Sequence, residues 1–293
     1  MLCTSSSSSL FAFCTIVLLV GCESQQANSH EDGGPDRGFQ IPQPPAPKPP
    51  PSFYALSVDK AVDVLFVIDD TEEMDSAQES LRRNIASLIE GLRLPNTGGK
   101  LPYLHIGVIS SNLEAKFGQL QSAPGVAGCV PPREPWIALL EGKTNIPECP
   151  GDGAQCVKDA FSCIAALGSR SKRFPKPFEA TRRALATKLN PGFLRKKALL
   201  AVVFLSATDD CSARNPQLFD PQQQGLNDPL GPLTSFRCFE FGVQCDVNDR
   251  LVTGERKNCV PAYDWLYKTQ DYIQAFKNLK TRPDQVLMAA ITG

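Results

Sequence analysis

The sequence predicts an α/β domain: an open, mostly parallel sheet with helices on both faces and two disulfide-bearing insertions. Three observations predict it. Four apolar runs, Val62–Ile68, Leu104–Ser110, Ala198–Leu205 and Val286–Thr292, have the length of strands. The first, third and fourth are near-continuous rather than alternating, as in strands covered on both faces of a parallel sheet. Helical patterns lie between the runs, and strand–helix–strand order leads to helices packed on the faces of one sheet.

The elements follow in order. After the first run, Asp75 to Leu92 sets Leu81, Ile85, Leu88, Ile89 and Leu92 at helical spacings on one stripe. Gly118 to Gln155 is rich in Gly and Pro and holds two cysteines. Phe178 to Leu189 repeats the helical register through Phe178, Thr181, Leu185 and Leu189. Ser212 to Asn258 is the second long interruption, and both are long for loops of a compact domain. In it, Phe236, Phe239 and Phe241 are expected to pin the insertion to the core, and the alternation of Phe239 and Phe241 reads as a short edge strand. Tyr267 to Leu279 is helical through Tyr272, Ile273, Phe276 and Leu279, and Pro283 divides it from the last strand. The sequence stops at Gly293, directly after VLMAAIT, which reads as a fragment or truncated product, with a natural end as the alternative.

The first fifty residues are of another kind. Leu10 to Val20, LFAFCTIVLLV, is an uncharged apolar run. It is too short to span a bilayer, which takes roughly 20 residues, and suits the apolar region of a secretion signal. Leu19-Val20-Gly21-Cys22 then resembles a bacterial lipobox. That resemblance implies a signal peptide over 1–21, lipid (palmitate) on Cys22, and a membrane partner reached through the anchor. An ordinary cleaved signal is the alternative. Residues 22–52 are polar and then proline-rich (IPQPPAPKPPPS), a composition that forms no core and favours extended polyproline structure. They read as a tether, and 53–293 as the folded domain. Glu23 is not the Asp that retains enteric lipoproteins in the inner membrane, so the expected location is the cell envelope, the outer membrane before the inner.

Cysteine usage agrees with export. Of eleven cysteines, Cys3 and Cys14 leave with the signal and Cys22 takes lipid. Cys129, Cys149, Cys156, Cys163, Cys211, Cys238, Cys245 and Cys259 remain, an even set that implies up to four disulfides of undetermined pairing. Zinc is the weaker reading, since no CxxC pair occurs and the chain has 2 His. A formal net charge of -1 gives no sign of a nucleic-acid partner. His30 lies in the tether and His105 in a strand, which leaves no free His for a nucleophile–base pair, so the chain reads as a non-enzyme. A carboxylate hydrolase built on Asp209 and Asp210 is the least favoured class. The short basic clusters Lys172-Arg173 and Arg195-Lys196-Lys197 read as solvated surface.

Val64 to Met74, VLFVIDDTEEM, places acids at the end of an apolar strand. This stretch resembles the first strand and loop of a von Willebrand factor A domain. The same type of domain, in the cysteine-bearing form found in lipoproteins of myxobacteria and relatives, is resembled by Asn190-Pro191-Gly192-Phe193-Leu194-Arg195, Asp209-Asp210-Cys211-Ser212, Phe178-Glu179-Ala180 and Arg237-Cys238-Phe239-Glu240-Phe241-Gly242-Val243. The resemblance implies a Rossmann-like sheet and a site for Mg²⁺ (or Mn²⁺ or Ca²⁺) completed by a carboxylate from a partner. By that resemblance Asp69, Thr71 and Ser169 are metal ligands, with Glu73 and Asp209 as further candidates. Two positions depart from the family pattern: Glu73 stands for a Ser, and Ala207 for an Asp. Two outcomes stay open. One is metal-dependent recognition of a protein or polymer at the envelope. The other is a structural lipoprotein whose acids face water, as they do in many first helical turns.

Overall fold

A computed structural model of the chain describes residues 61–93, 98–169, 174–186 and 188–292. The expected signal, Cys22 as the expected lipidation site, the expected tether, the first residues of the domain and Lys172-Arg173 lie outside them. Residues 56–293 form one unit. Its centre is β1 (Ala61–Ile68), seven of whose eight residues are buried. β2 (Tyr103–Ser110) and β5 (Leu199–Ser206) flank it in parallel register, Val64 opposite Ile106 and Ala201. β3 (Ile137–Leu140) and β4 (Lys143–Thr144) extend the β2 side antiparallel, and β8 (Val286–Thr292) pairs parallel with β5. The sheet order is β4-β3-β2-β1-β5-β8. The four apolar runs are thus four parallel strands, within one residue of the expected bounds.

Strand alternation divides two cores. Val62, Val64, Phe66 and Ile68 face α1 (Asp75–Gly91) and, after the one-turn α2 (Leu113–Lys116) that follows β2 in the chain, α3 (Ala154–Ile164), where Ile85, Ile89, Val157, Phe161 and Ile164 close the core. Leu65 and Val67 face the other way, toward Ala180 and Ala184 of α4 (Pro177–Ala184) and toward Phe193. Phe178 of α4 packs on Tyr272 and Phe276 of α6 (Thr269–Lys277), so the two helices share that face. Gly107 in β2 is needed there: a Cβ would stand 2.5 Å from Leu120 and 2.9 Å from the Phe193 ring.

Several expectations are corrected. The sequence reading assigns no element between Gln155 and Phe178, yet Val157, Ala160, Phe161 and Ile164 keep a helical stripe in α3, and Cys156 and Cys163 ride on the helix. The RCFEFG segment is a helix, α5 (Phe236–Gly242), not an edge strand. A short antiparallel pair follows instead, β6 (Val243–Gln244) with β7 (Val260–Pro261). Phe236 and Phe239 do not pin the insertion: they are 55% and 43% exposed. Arg237 does that work, buried and donating to the carbonyls of Leu218, Gln223, Gly231 and Pro232. β8 is apolar but mostly exposed, because among the described residues nothing covers its outer faces. All eight expected cysteines pair, as Cys129–Cys163, Cys149–Cys156, Cys211–Cys238 and Cys245–Cys259. Among the described residues no helix is long and apolar enough to cross a membrane.

Arg195 is also not solvated surface. Its guanidinium Nε lies 2.7 Å from Oδ1 of Asp63, a β1 residue with no exposed area, and its backbone N–H donates to Oδ2 at 2.8 Å. Lys280, buried after α6, lies 3.3 Å from the same carboxylate and donates to the Arg195 carbonyl at 2.6 Å. His105 faces Asp63 at 3.9 Å and holds the Phe193 carbonyl at 2.8 Å. One buried carboxylate thereby ties β1, β2, the segment before β5 and the end of α6. Asp63→Ala leaves two cations facing each other without their acid, and urea unfolding should show a loss of roughly 3–5 kcal/mol. Burial pushes the His105 imidazole below its ordinary value, against the pull of the Phe193 carbonyl. A base with a depressed folded pKa binds fewer protons folded than unfolded, so its stabilising contribution is present above about pH 6.5 and is lost as pH falls through the folded value. Stability curves of the wild type and His105→Phe should therefore diverge below about pH 6.5, the wild type losing more.

Candidate functional site

The acids after β1 sit where open parallel sheets place ligands, at the carboxyl ends of the strands. Asp69 is fully buried, and its backbone N–H continues the ladder to Leu205 at 2.9 Å. Its side chain has two protein donors. Oδ1 accepts the Thr71 N–H at 2.9 Å, a local turn that Asp forms readily. Oδ2 lies 3.1 Å from the hydroxyl of Ser206, the last residue of β5. The Asp69 carbonyl accepts Nε2 of Gln78 at 3.0 Å, and Oε1 of Gln78 accepts the Gly168 N–H at 3.1 Å. Gln78 therefore staples the β1 end, through α1, to the loop that carries Ser169. Gly168 turns that loop at φ +67.

The proposed ligands meet only in part. Asp69 and Thr71 stand together and buried. Ser169 is in the adjoining loop, but its hydroxyl donates to Oδ2 of Asp75 at 2.7 Å, in an exposed position. Glu73 and Asp209 are exposed, and Ala207 offers no donor atom. Among the described residues no three His, Cys, Asp or Glu side chains gather round one point. Mg²⁺ asks for near-octahedral oxygens at about 2.0–2.1 Å. A carboxylate already held by an N–H and a hydroxyl, beside a Ser bound to another acid, does not fit that demand. The residues present do not make the five-ligand set that the sequence suggested.

A different feature does gather here. Thr71 Oγ1, Ser111 Oγ and Thr208 Oγ1 are buried without a hydrogen-bond partner, and among the described residues they are all the hydroxyls of that kind. Each follows the carboxyl end of a neighbouring strand, β1, β2 and β5 in turn. Buried polar groups are ordinarily satisfied, and one left alone costs about 1–3 kcal/mol. Three at one end of one sheet mark where the protein leaves hydrogen-bonding capacity unused.

Asp210 serves a structural purpose beside them. Its Oδ1 accepts the Phe178 N–H at 3.0 Å and the Ser212 hydroxyl at 2.8 Å, while Oδ2 accepts the Ser212 N–H at 3.0 Å. It thus anchors the start of α4, and the Cys211–Cys238 disulfide fixes the same loop to α5. Burial pushes its carboxyl up to about 6, against these three hydrogen bonds. Glu179 turns the other way, to Arg182 and Arg183, with its N–H given to Ser212. The two carboxylates Asp209 and Asp210 do not converge: one faces water, and the other is committed to the helix start. Sequence reasoning missed Gln78, Ser206, Ser111 and Thr208. Only Gln78 carried a signal, as a polar residue one position pattern ahead of Ile85 on the buried stripe of α1.

No family model matches the sequence, and no curated protein matches it. Solved structures with some likeness include the pilus adhesin SpaC from Lactobacillus rhamnosus GG in its open conformation, at 12% identity and TM-score 0.31, over 78% of this chain and 28% of that one. The human COPII-coat protein Sec24c aligns at 11% identity and TM-score 0.30, over 62% and 29% of the two chains. The pilus adhesin RrgA from Streptococcus pneumoniae aligns at 9% identity and TM-score 0.24, over 52% and 21%. The chain spans less than a third of the length of each, and we draw nothing about function from them.

Two outcomes are expected. Ser206→Ala leaves Oδ2 of the buried Asp69 without its donor and should cost about 1–3 kcal/mol in chemical denaturation. Asp210 should titrate with a midpoint near pH 6 in carbon-13 spectra of its carboxyl. An acid with a raised folded pKa binds its proton more tightly folded, so its stabilising contribution is full below about pH 3.9 and is lost as pH rises through the folded value.

Proposed function

We propose that this chain is a noncatalytic, lipid-anchored cell-envelope protein whose folded region is a binding domain of the von Willebrand factor A type. A tether on Cys22 holds the domain to a membrane, the outer one in a two-membrane envelope. The rim at the carboxyl ends of β1, β2 and β5 recognises a protein or polymer. The observation that carries this reading is the set of three partnerless buried hydroxyls, Thr71, Ser111 and Thr208, at the ligand end of a parallel sheet. The strand order, the sequence motifs around Asp69 and Phe193, and the four disulfides support the A-type assignment and an exported life.

Binding on this reading does not depend on a resident divalent cation. Support comes from the donors already committed to Asp69 and Ser169 and from the outward Glu73 and Asp209. A domain that keeps the fold of a metal-dependent adhesion site can keep the recognition surface after the ion-holding set has dispersed.

The test combines a thermal-shift titration with a binding assay. Mg²⁺, Mn²⁺ and Ca²⁺ at millimolar concentration should leave the melting temperature unchanged. Cosedimentation with isolated envelope material should be equal with and without EDTA. Thr71→Val should lower cosedimentation without loss of stability, because the hydroxyl it removes is unpaired in the free protein. A metal-induced rise in melting temperature, or release by EDTA, would return the site to metal-dependent adhesion. Absence of any cosedimentation would make the protein a structural lipoprotein.

A further inference from the structure

A groove of about 590 Å³ opens beside this rim, between the ends of β5 and β8 and the start of α5. Its walls include Phe236 and Phe239, whose rings stand 5.6 Å apart at 35° and are both largely open to solvent. Ser206, Thr208 and Thr292 contribute hydroxyl-bearing side chains, and Asp209 contributes the one charged side chain. The Asp209 carboxylate is exposed and forms no ion pair or hydrogen bond among the described residues. Among the described residues no Lys, Arg or His lines the groove. Arg237, between the two Phe in sequence, is spent on the carbonyls of the insertion.

These features are not needed by the fold. Exposing two neighbouring Phe rings keeps apolar area in water, at about 25 cal/mol for each Å². Cys238 and Arg237 hold α5 in place without them. The faces of aromatic rings carry negative potential, and a cation within about 6 Å of a ring centroid is attracted to it. Two such faces beside an unpaired carboxylate form a site of one sign. A neutral sugar would leave that carboxylate unmatched, and an acidic partner would be repelled by it.

We propose that the groove receives a basic side chain, a lysine ammonium or an arginine guanidinium, carried by a partner protein. The occupant seats its charge against Asp209 and its methylene stem against Phe236 and Phe239. Long basic side chains suit such a site, because their stems bury on apolar surface while the head stays polar. This rests on the reading of the domain as a noncatalytic binder and names the chemistry it recognises.

The experiment is a titration of the full chain, disulfides intact and Phe rings carbon-13 labelled, followed by nuclear magnetic resonance. The probes are N-acetyl-lysine methylamide, N-acetyl-arginine methylamide, N-acetyl-glutamate methylamide and maltotriose. Saturable shifts at the Phe236 and Phe239 rings are expected with the two cations and not with the other two. Asp209→Asn and Phe239→Ala should each weaken binding at least fivefold. Both positions are exposed, so melting temperature should hold, and Glu255→Gln, an exposed residue outside the groove lining, should change nothing. No saturable shift with either cation, or full binding by Asp209→Asn, overturns the proposal. Equal or stronger shifts with maltotriose would also overturn it in favour of a glycan site. If the probes fail while envelope cosedimentation persists, the groove assignment falls alone; if cosedimentation fails while the cations bind, the envelope reading falls instead.

Discussion

β1 has no free side. Strands flank both its edges and helices cover both its faces, so every polar group on it must be answered from within the protein. The strand nonetheless begins near one acid and is followed by another. Asp63 is answered by two cations, Arg195 and Lys280. Asp69 is answered by neutral donors, the Thr71 N–H and the Ser206 hydroxyl. The contrast separates the two ends. The Asp63 end is closed by full charges drawn from distant parts of the chain and works as a structural lock. The Asp69 end is closed by weaker dipoles, with Thr71, Ser111 and Thr208 left unmatched around it. The proposed binding lies at the end where satisfaction is incomplete.

The acid at the lock end also explains why the segment around Asn190–Arg195 is held so firmly. Asn190 donates from Nδ2 to the carbonyls of Gly118 and Ala184, and its Oδ1 accepts the Leu120 N–H. Phe193 fills the space left by Gly107, and Arg195 reaches Asp63. One short stretch of chain thus links α4, β2 and β1 before β5 begins. Its side chains are spent on these contacts within the protein, although they stand out in the sequence as strongly as those around Asp69.

Much of the fold was legible because burial of a strand or helix face dictates a period. The runs at β1, β2, β5 and β8 and the stripe of α1 needed no further information. What failed was inference about covering. β8 is as apolar as β5, but apolarity alone does not say whether a neighbour is present, and Leu287, Met288 and Ile291 are exposed. α3 was not legible because its stripe of Val157, Phe161 and Ile164 is short and starts at the edge of the Gly- and Pro-rich stretch that ends at Gln155. Phe239 and Phe241 alternate by two, yet the helix puts one outward and one against Trp265. At the site, Asp69 and Thr71 were legible from their place after a buried strand. Ser206 and Gln78 were not, since their meaning comes from the neighbour the fold gives them. Arg195 was read as surface for the same reason: nothing local to it announces Asp63, which precedes it by 132 positions.

The pattern of the sulfur bridges has a bearing on how the chain matures. Cys149–Cys156 lies inside the span of Cys129–Cys163, whereas Cys211–Cys238 and Cys245–Cys259 follow one after the other. An oxidant that joined thiols in order of their arrival, amino terminus first, would make the last two bridges correctly. It would couple Cys129 to Cys149 and Cys156 to Cys163, and both would be wrong. Cys163 lies on the last turn of α3, 34 positions after Cys129. Closure of Cys129–Cys163 therefore requires that Cys129 be still unpaired, or be released again, when Cys163 comes within reach, whereas order of arrival alone already yields the two later bridges.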